Sequence, residues 1–195
     1  GLGLTNLVTM PYSDRLKLVP DFFAQLWAES LGKKFNRKEE IVYAGQTPIK
    51  TLGVTDQHSQ LQLYSEGIRD KIIMFITVAS SDMDEKITEA VPFAEHLQNA
   101  SLKSLLDFEY DSTSYSLTTL DRPNYTIVLD KVDEFNMGKL IFFMEMMTAF
   151  MGEFLNINTY DQPGVELSKI YTKACLHVKG YEKQAKDIKN YSISK

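Results

Sequence analysis

The chain is poor in the residues that staple, ligate or span. Its 195 residues include one cysteine, Cys175, so neither an intrachain disulfide framework nor a cysteine-cluster metal site is available. Three histidines, His58, His96 and His177, show no HExxH-type spacing, and no metal or cofactor is expected. Positive charge is also short. Twenty-one Lys and Arg stand against 26 Asp and Glu, for a net charge of −5. That balance argues against nucleic acid or an anionic membrane as a partner, although a local site for a small anion stays open. Long hydrophobic runs are missing too. The most apolar stretch, 140–155, is broken by Glu145 and Glu153, so it reads as a buried helix and not as a membrane span. The first residues lack the basic-then-apolar order of a signal peptide, and no internal repeat or low-complexity linker appears. A reducing, cytoplasmic compartment is the expected setting.

What is present fits a soluble globular protein. Hydrophobic residues make up 44% and charged residues 24%, and the length suits one domain or one and a half. The chain opens without methionine and reaches strand-like sequence almost at once, as a cut inside a larger protein would.

Asn6–Met10 reads as a strand ended by Pro11. A helix then runs to Leu31, with Leu16, Val19, Phe22, Phe23, Leu26 and Trp27 on a broad apolar face. Pro20 either kinks this helix or opens a second one at its first position. Gly32 stops it. Ile41–Ala44 is a short strand candidate, and 45–50 reads as a connection. Lys71–Ala79 is apolar almost throughout, as expected of a strand buried on both faces. Ile87–Leu120 is mostly helical in pattern, with Pro92 as a start or break, and Asn124–Asp130 is a further strand. Glu134–Asn156 is the most apolar helix, its Met-rich stripe reading as core and its other sides as an interface. Pro163 opens the last strong helix, and beyond Gly180 a solvated polar tail is expected. Strands alternate with helices, which predicts an α/β fold with a mostly parallel sheet.

Three places carry chemistry. Glu29 falls in the last turn before Gly32, near the partially negative end of a helix, where a carboxylate is suited to taking a proton. His58 falls in the first turn of a helix that Thr55 or Asp56 can cap, with Leu61, Leu63 and Tyr64 anchoring it. The partial positive charge there disfavours an imidazolium, so the ring is suited to giving and returning a proton. Gln162 sits at the mouth of the helix opened by Pro163, with Glu166 and Lys169 following on the same face. Each has an ordinary alternative: a solvated Glu, a surface His, a plain helical ion pair. Cys175 and His177 are two residues apart and do not form a catalytic pair on a helix.

In chain order, QLWAESLGK (Gln25–Lys33), GVTDQHSQ (Gly53–Gln60) and DQPGVELSK (Asp161–Lys169) together resemble the C-terminal half of the phosphoglucose isomerase family, bacterial type. MPYSDR near the start, TPIK, RPN and the TA–G segment extend the resemblance over about residues 7–175. It implies a sugar-isomerase (SIS) domain over residues 1–160, a three-layer αβα sandwich, with 161–195 as a C-terminal helix and tail packing on it or on a missing N-terminal half. It implies metal-free interconversion of glucose 6-phosphate and fructose 6-phosphate through a cis-enediol(ate). Glu29 would be the base at C1 and C2, His58 would open and close the ring, Lys169 would assist ring opening, and Gln25 and Gln162 would contact the substrate. Ser168 stands where the family usually has glycine. The loop that grips the sugar phosphate belongs to the N-terminal half, so the chain alone is expected to be inactive. The family's usual homodimer, with the histidine supplied across subunits, would place His58 in a second chain's site. The alternative is a non-catalytic sugar-phosphate-binding SIS module.

Overall fold

A computed structural model describes residues 3–81 and 84–193. The chain runs β1 (Asn6–Pro11), α1 (Val19–Leu31), β2 (Lys33–Phe35), β3 (Ile41–Ala44), β4 (Thr47–Lys50), α2 (Thr55–Glu66), β5 (Lys71–Val78), α3 (Leu102–Thr119), β6 (Asn124–Leu129), α4 (Glu134–Phe154), α5 (Pro163–Cys175) and α6 (Glu182–Ile193). Four strands form one sheet in the order β4-β1-β5-β6, every pairing parallel. β2 and β3 make a separate antiparallel pair.

Strand alternation sends successive side chains to opposite faces, and each face has its own core. Leu7, Met74 and Ile76 pack with Phe23, Trp27 and Leu31 of α1 and with Leu140 and Met144 of α4. Val8, Met10, Ile73 and Phe75 face the other way, against Tyr64 of α2 and Leu117 of α3. The register sets Val8 beside Ile73 and Met10 beside Phe75. The result is the expected α/β sandwich, with α1 and α4 on one side of the sheet and α2 and α3 on the other. β5 is buried on both faces, with Ile73, Met74, Phe75 and Ile76 all at 1% exposure or less.

Several expectations are corrected. TPIK is an edge strand and not a connection, with Pro48 tolerated at the edge because its missing N–H has no inner partner to serve. Of the two readings of Pro20 the second holds: it lies in the first turn of α1, and a separate 3-10 turn, Asp14–Leu16, precedes it. The helix over 87–120 begins only at Leu102. Phe93 and Asn99 have positive φ, which interrupts any helix before them. Ser101 then caps α3 reciprocally with Ser104, each hydroxyl accepting the other's amide at 3.0 Å. Neither Thr55 nor Asp56 caps α2. Asp56 reaches back instead and accepts the Leu52 amide at 2.7 Å. Leu61 and Tyr64 hold α2 to the core, whereas Leu63 is exposed. His177 lies past the end of α5, with positive φ. The polar tail is helical: α6 packs on α5, where Ile188 and Tyr191 share a cavity with Tyr171.

Burial also shapes the response to alkali. Tyr125, its hydroxyl touching only the Met147 sulfur at 3.9 Å, and Tyr12 are both pushed up to about 12, chiefly by loss of hydration. Between about pH 10 and 12 the unfolded chain releases these protons while the folded chain keeps them, so stability falls as pH rises. Tyr125→Phe is expected to make that fall shallower by about 1.4 kcal/mol per pH unit, with little change at pH 7. Urea midpoints measured from pH 8 to 11 check this; an unchanged slope would contradict it.

Candidate active site

α1 owes its orientation to Phe23, Trp27 and Leu31, which recur at helical spacing and bury against the sheet and α4. The same spacing turns Gln25 and Glu29 to solvent, one turn apart. Gln25 Nε2 donates to Glu29 Oε1 at 3.3 Å, and Gln162 Nε2 donates to Glu29 Oε2 at 2.6 Å. Each carboxylate oxygen therefore has its own amide donor. The second comes from 133 positions along the chain.

Gln162 is carried by the turn between α4 and α5. Asn158 builds that turn: its Nδ2 donates to Asp161 Oδ2 at 2.8 Å, and its Oδ1 accepts the Tyr160 amide at 3.1 Å. Thr159 is buried in the turn and leans on Gly152 of α4, where a Cβ would come within 1.9 Å of the Thr159 methyl. Lys169 pairs with Glu166 at 2.7 Å, and its hydrogen bond holds the Glu166 carboxyl below the ordinary range. Thr159, Gln162, Glu166 and Lys169 line a cavity of about 560 Å³.

The structure thus joins Gln25, Glu29 and Gln162 directly and puts Lys169 in the same cavity as Gln162. His58 is not among them. It is exposed on α2, in the helical layer across the sheet from α1. Two neighbours were not singled out by sequence, Lys33 and Asp161. The ammonium of Lys33 is buried beneath the end of α1 and lies 3.8 Å from Asp161. Loss of hydration lowers its pKa, partly countered by Asp161. The only signal was its place in the first motif, two residues after Leu31. Among the described residues no cluster of His, Cys, Asp and Glu is placed to hold a metal, and no helix is long and apolar enough to cross a membrane.

A parallel sheet between two helical layers, with an open carboxylate held by two amides at a helix end, defines a layered α/β protein with a solvent-facing candidate site. The chain belongs to the phosphoglucose isomerase family, whose model matches residues 2–194. It is 44% identical over 189 residues to a glucose-6-phosphate isomerase of Carboxydothermus hydrogenoformans, covering 95% of this chain and 41% of that protein. A relative of the same name from Prochlorococcus marinus is 35% identical, covering 100% of this chain and 36% of its own length. A hypothetical protein of Thermus thermophilus superimposes with a TM-score of 0.84 at 35% identity, over 90% of this chain and 42% of that one. A glucose-6-phosphate isomerase structure from Chlamydia trachomatis shares the fold, with a TM-score of 0.79 at 21% identity, over 100% of this chain and 39% of that one. The chain spans about 40% of the length of the first of these relatives.

Gly152→Ala tests how the turn is seated. The added methyl must displace the stiff, buried Thr159, and a loss of about 1–3 kcal/mol is expected from overpacking. Chemical denaturation reads it. Thr159→Ser in the same background removes the obstructing methyl and should recover much of the loss; no recovery would place the strain elsewhere.

Proposed function

We propose that this chain is the C-terminal SIS half of a glucose-6-phosphate isomerase, which interconverts glucose 6-phosphate and fructose 6-phosphate through a cis-enediol(ate). The observation that carries the reading is the Glu29 carboxylate, open to solvent and aimed by Gln25 and Gln162. The glucose-6-phosphate isomerases among its relatives support the substrate class.

Moving a proton between adjacent carbons of a sugar needs a carboxylate-strength base held beside a carbon acid. Glu29 takes the proton from one carbon and returns it to the other. Two amide donors fix the plane of the carboxylate without supplying a competing acid. Gln25 and Gln162 also contact the substrate, and Lys169 assists ring opening from the same cavity. The ring oxygen needs a separate group that exchanges a proton near neutral pH, the part assigned to His58. Its place across the sheet from α1 fits a homodimer in which His58 completes a second chain's site. Residues 161–195 pack against the rest of the full-length protein, which supplies the sugar-phosphate grip. The setting is cytoplasmic and no cofactor takes part.

The test is a coupled assay of the full-length protein with fructose 6-phosphate. Glu29→Gln is expected to lower kcat at least a thousandfold with KM little changed, equivalent to about 4 kcal/mol of transition-state stabilisation. Mixing Glu29→Gln and His58→Asn protomers should restore turnover that neither has alone. The 195-residue chain by itself should show none. A wild-type protein without isomerase activity, or one indifferent to Glu29→Gln, sinks the reading.

A further inference from the structure

The ammonium of Lys33 is the most thoroughly buried charge described. Its side chain is 4% exposed. Nζ donates to the carbonyl oxygens of Glu29 at 2.7 Å and Ser30 at 2.9 Å. Its third neighbour is Asp161 Oδ1 at 3.8 Å, on a residue whose side chain is half exposed. The main chain at Lys33 is held as well. Lys33 opens β2 and pairs with Ala44, and Gly45 returns the hairpin against the end of α1, its backbone close to the Leu31 carbonyl.

These contacts share one geometric consequence. The last turn of a helix leaves carbonyls without amide partners. Lys33 satisfies two of them, and one belongs to Glu29 itself. The same ammonium faces the carboxylate immediately before Gln162, the residue that grips the Glu29 side chain from the far end of the chain. One cation thereby clamps the backbone of the base and the turn that orients its side chain. A second link secures that turn to the hairpin: the Arg37 amide donates to the Asn156 carbonyl at 2.8 Å, and the Arg37 guanidinium pairs with Glu153.

Part of what Lys33 does is structural, since it meets two helix-end carbonyls that would otherwise lack a donor. The ammonium must leave water to do so, which is costly. A methionine there would fill much of the same space. What it would not do is meet the Glu29 and Ser30 carbonyls or face the Asp161 carboxylate and so join the end of α1 to the turn over 158–162.

We propose that Lys33 is a positioning residue for the isomerisation, a buried cation that ties the main chain at Glu29 to the Asp161–Gln162 turn and so fixes the base relative to its amide partner and to the cavity with Lys169. The proposal rests on the assignment of Glu29 as the base. Lys33 touches no substrate and moves no proton. Its effect should fall on the chemical step, because a displacement of about 1 Å at a reacting group costs on the order of a hundredfold in rate.

The experiment uses the full-length protein with fructose 6-phosphate and measures kcat, KM and amide hydrogen exchange together. Lys33→Met is expected to fold, to lose about 10–100-fold in kcat with KM within about twofold of wild type, and to exchange faster at 29–33 and 158–162. Asp161→Asn, a near-isosteric change at a half-exposed side chain, is expected to fold and to lose about 3–10-fold in kcat. The double variant should be no slower than Lys33→Met alone, because both cut one tie. If Lys33→Met does not fold, Asp161→Asn carries the test, and wild-type kcat and exchange in it overturn the proposal. Wild-type kcat in folded Lys33→Met, or fully multiplicative losses in the double variant, also overturn it. Failure of the assignment of Glu29 looks different: wild type or Glu29→Gln then behaves as stated above, while exchange at the two segments still decides whether the tie exists.

Discussion

The double-sided burial of β5 is the constraint on which the rest of the structure depends. A strand with Ile73, Met74, Phe75 and Ile76 all out of water needs a helical layer on each side. It also needs a paired neighbour along each edge, which β1 and β6 supply. Those demands fix where α1 and α4 lie, and with them the direction in which the exposed side of α1 points. Glu29 is open because Phe23, Trp27 and Leu31 are closed. The exposure of this candidate residue is thus a by-product of helical spacing once the core has chosen its side.

Onto that apolar frame a small polar assembly is added at the end of α1. It is asymmetric in exposure. Above, the Glu29 carboxylate meets amides in the open, where water and a ligand can reach it. Below, the Lys33 ammonium meets carbonyls in the dry interior, where electrostatic contacts are stronger and exchange with water is suppressed. A buried cation beneath and an open carboxylate above thus share the end of one helix. The surface pairs nearby, such as Lys169–Glu166, belong to the weak class that solvent and salt screen.

Much of this was legible in the residues, for identifiable reasons. The apolar run of β5 and the spacing of α1 are local signals of burial, and both forecast the layers correctly. Motifs placed Glu29 and Gln162, although nothing in the spacing foretold that they would meet, because that contact depends on how α4 and the turn after it return to α1. β4 escaped notice because four residues with a proline carry no strand periodicity; only β1 beside it makes them a strand. The stretch before α3 misled because its composition suits a helix while Phe93 and Asn99 adopt positive φ. α6 was read as a tail since its polar residues dominate, and the few that matter, Ile188 and Tyr191, gain meaning only against Tyr171 of α5. Lys33 looked like one of two lysines after a helix stop. Burial separates it from Lys34, and burial is a property of the assembled chain.

The long separation between Glu29 and Gln162 has a consequence for the order of synthesis. Chains emerge from the ribosome from the N-terminus at a few to tens of residues per second. α1 and its carboxylate are therefore made some 133 residues before the amide that completes their arrangement. During that interval β1, β5 and β6 can begin to assemble, but the Glu29 carboxylate has only Gln25 beside it. A ribosome that stalls before the turn over 158–162 leaves a nascent chain whose carboxylate has one of its two amide donors, so the ordering of this place waits on sequence made well after the sheet.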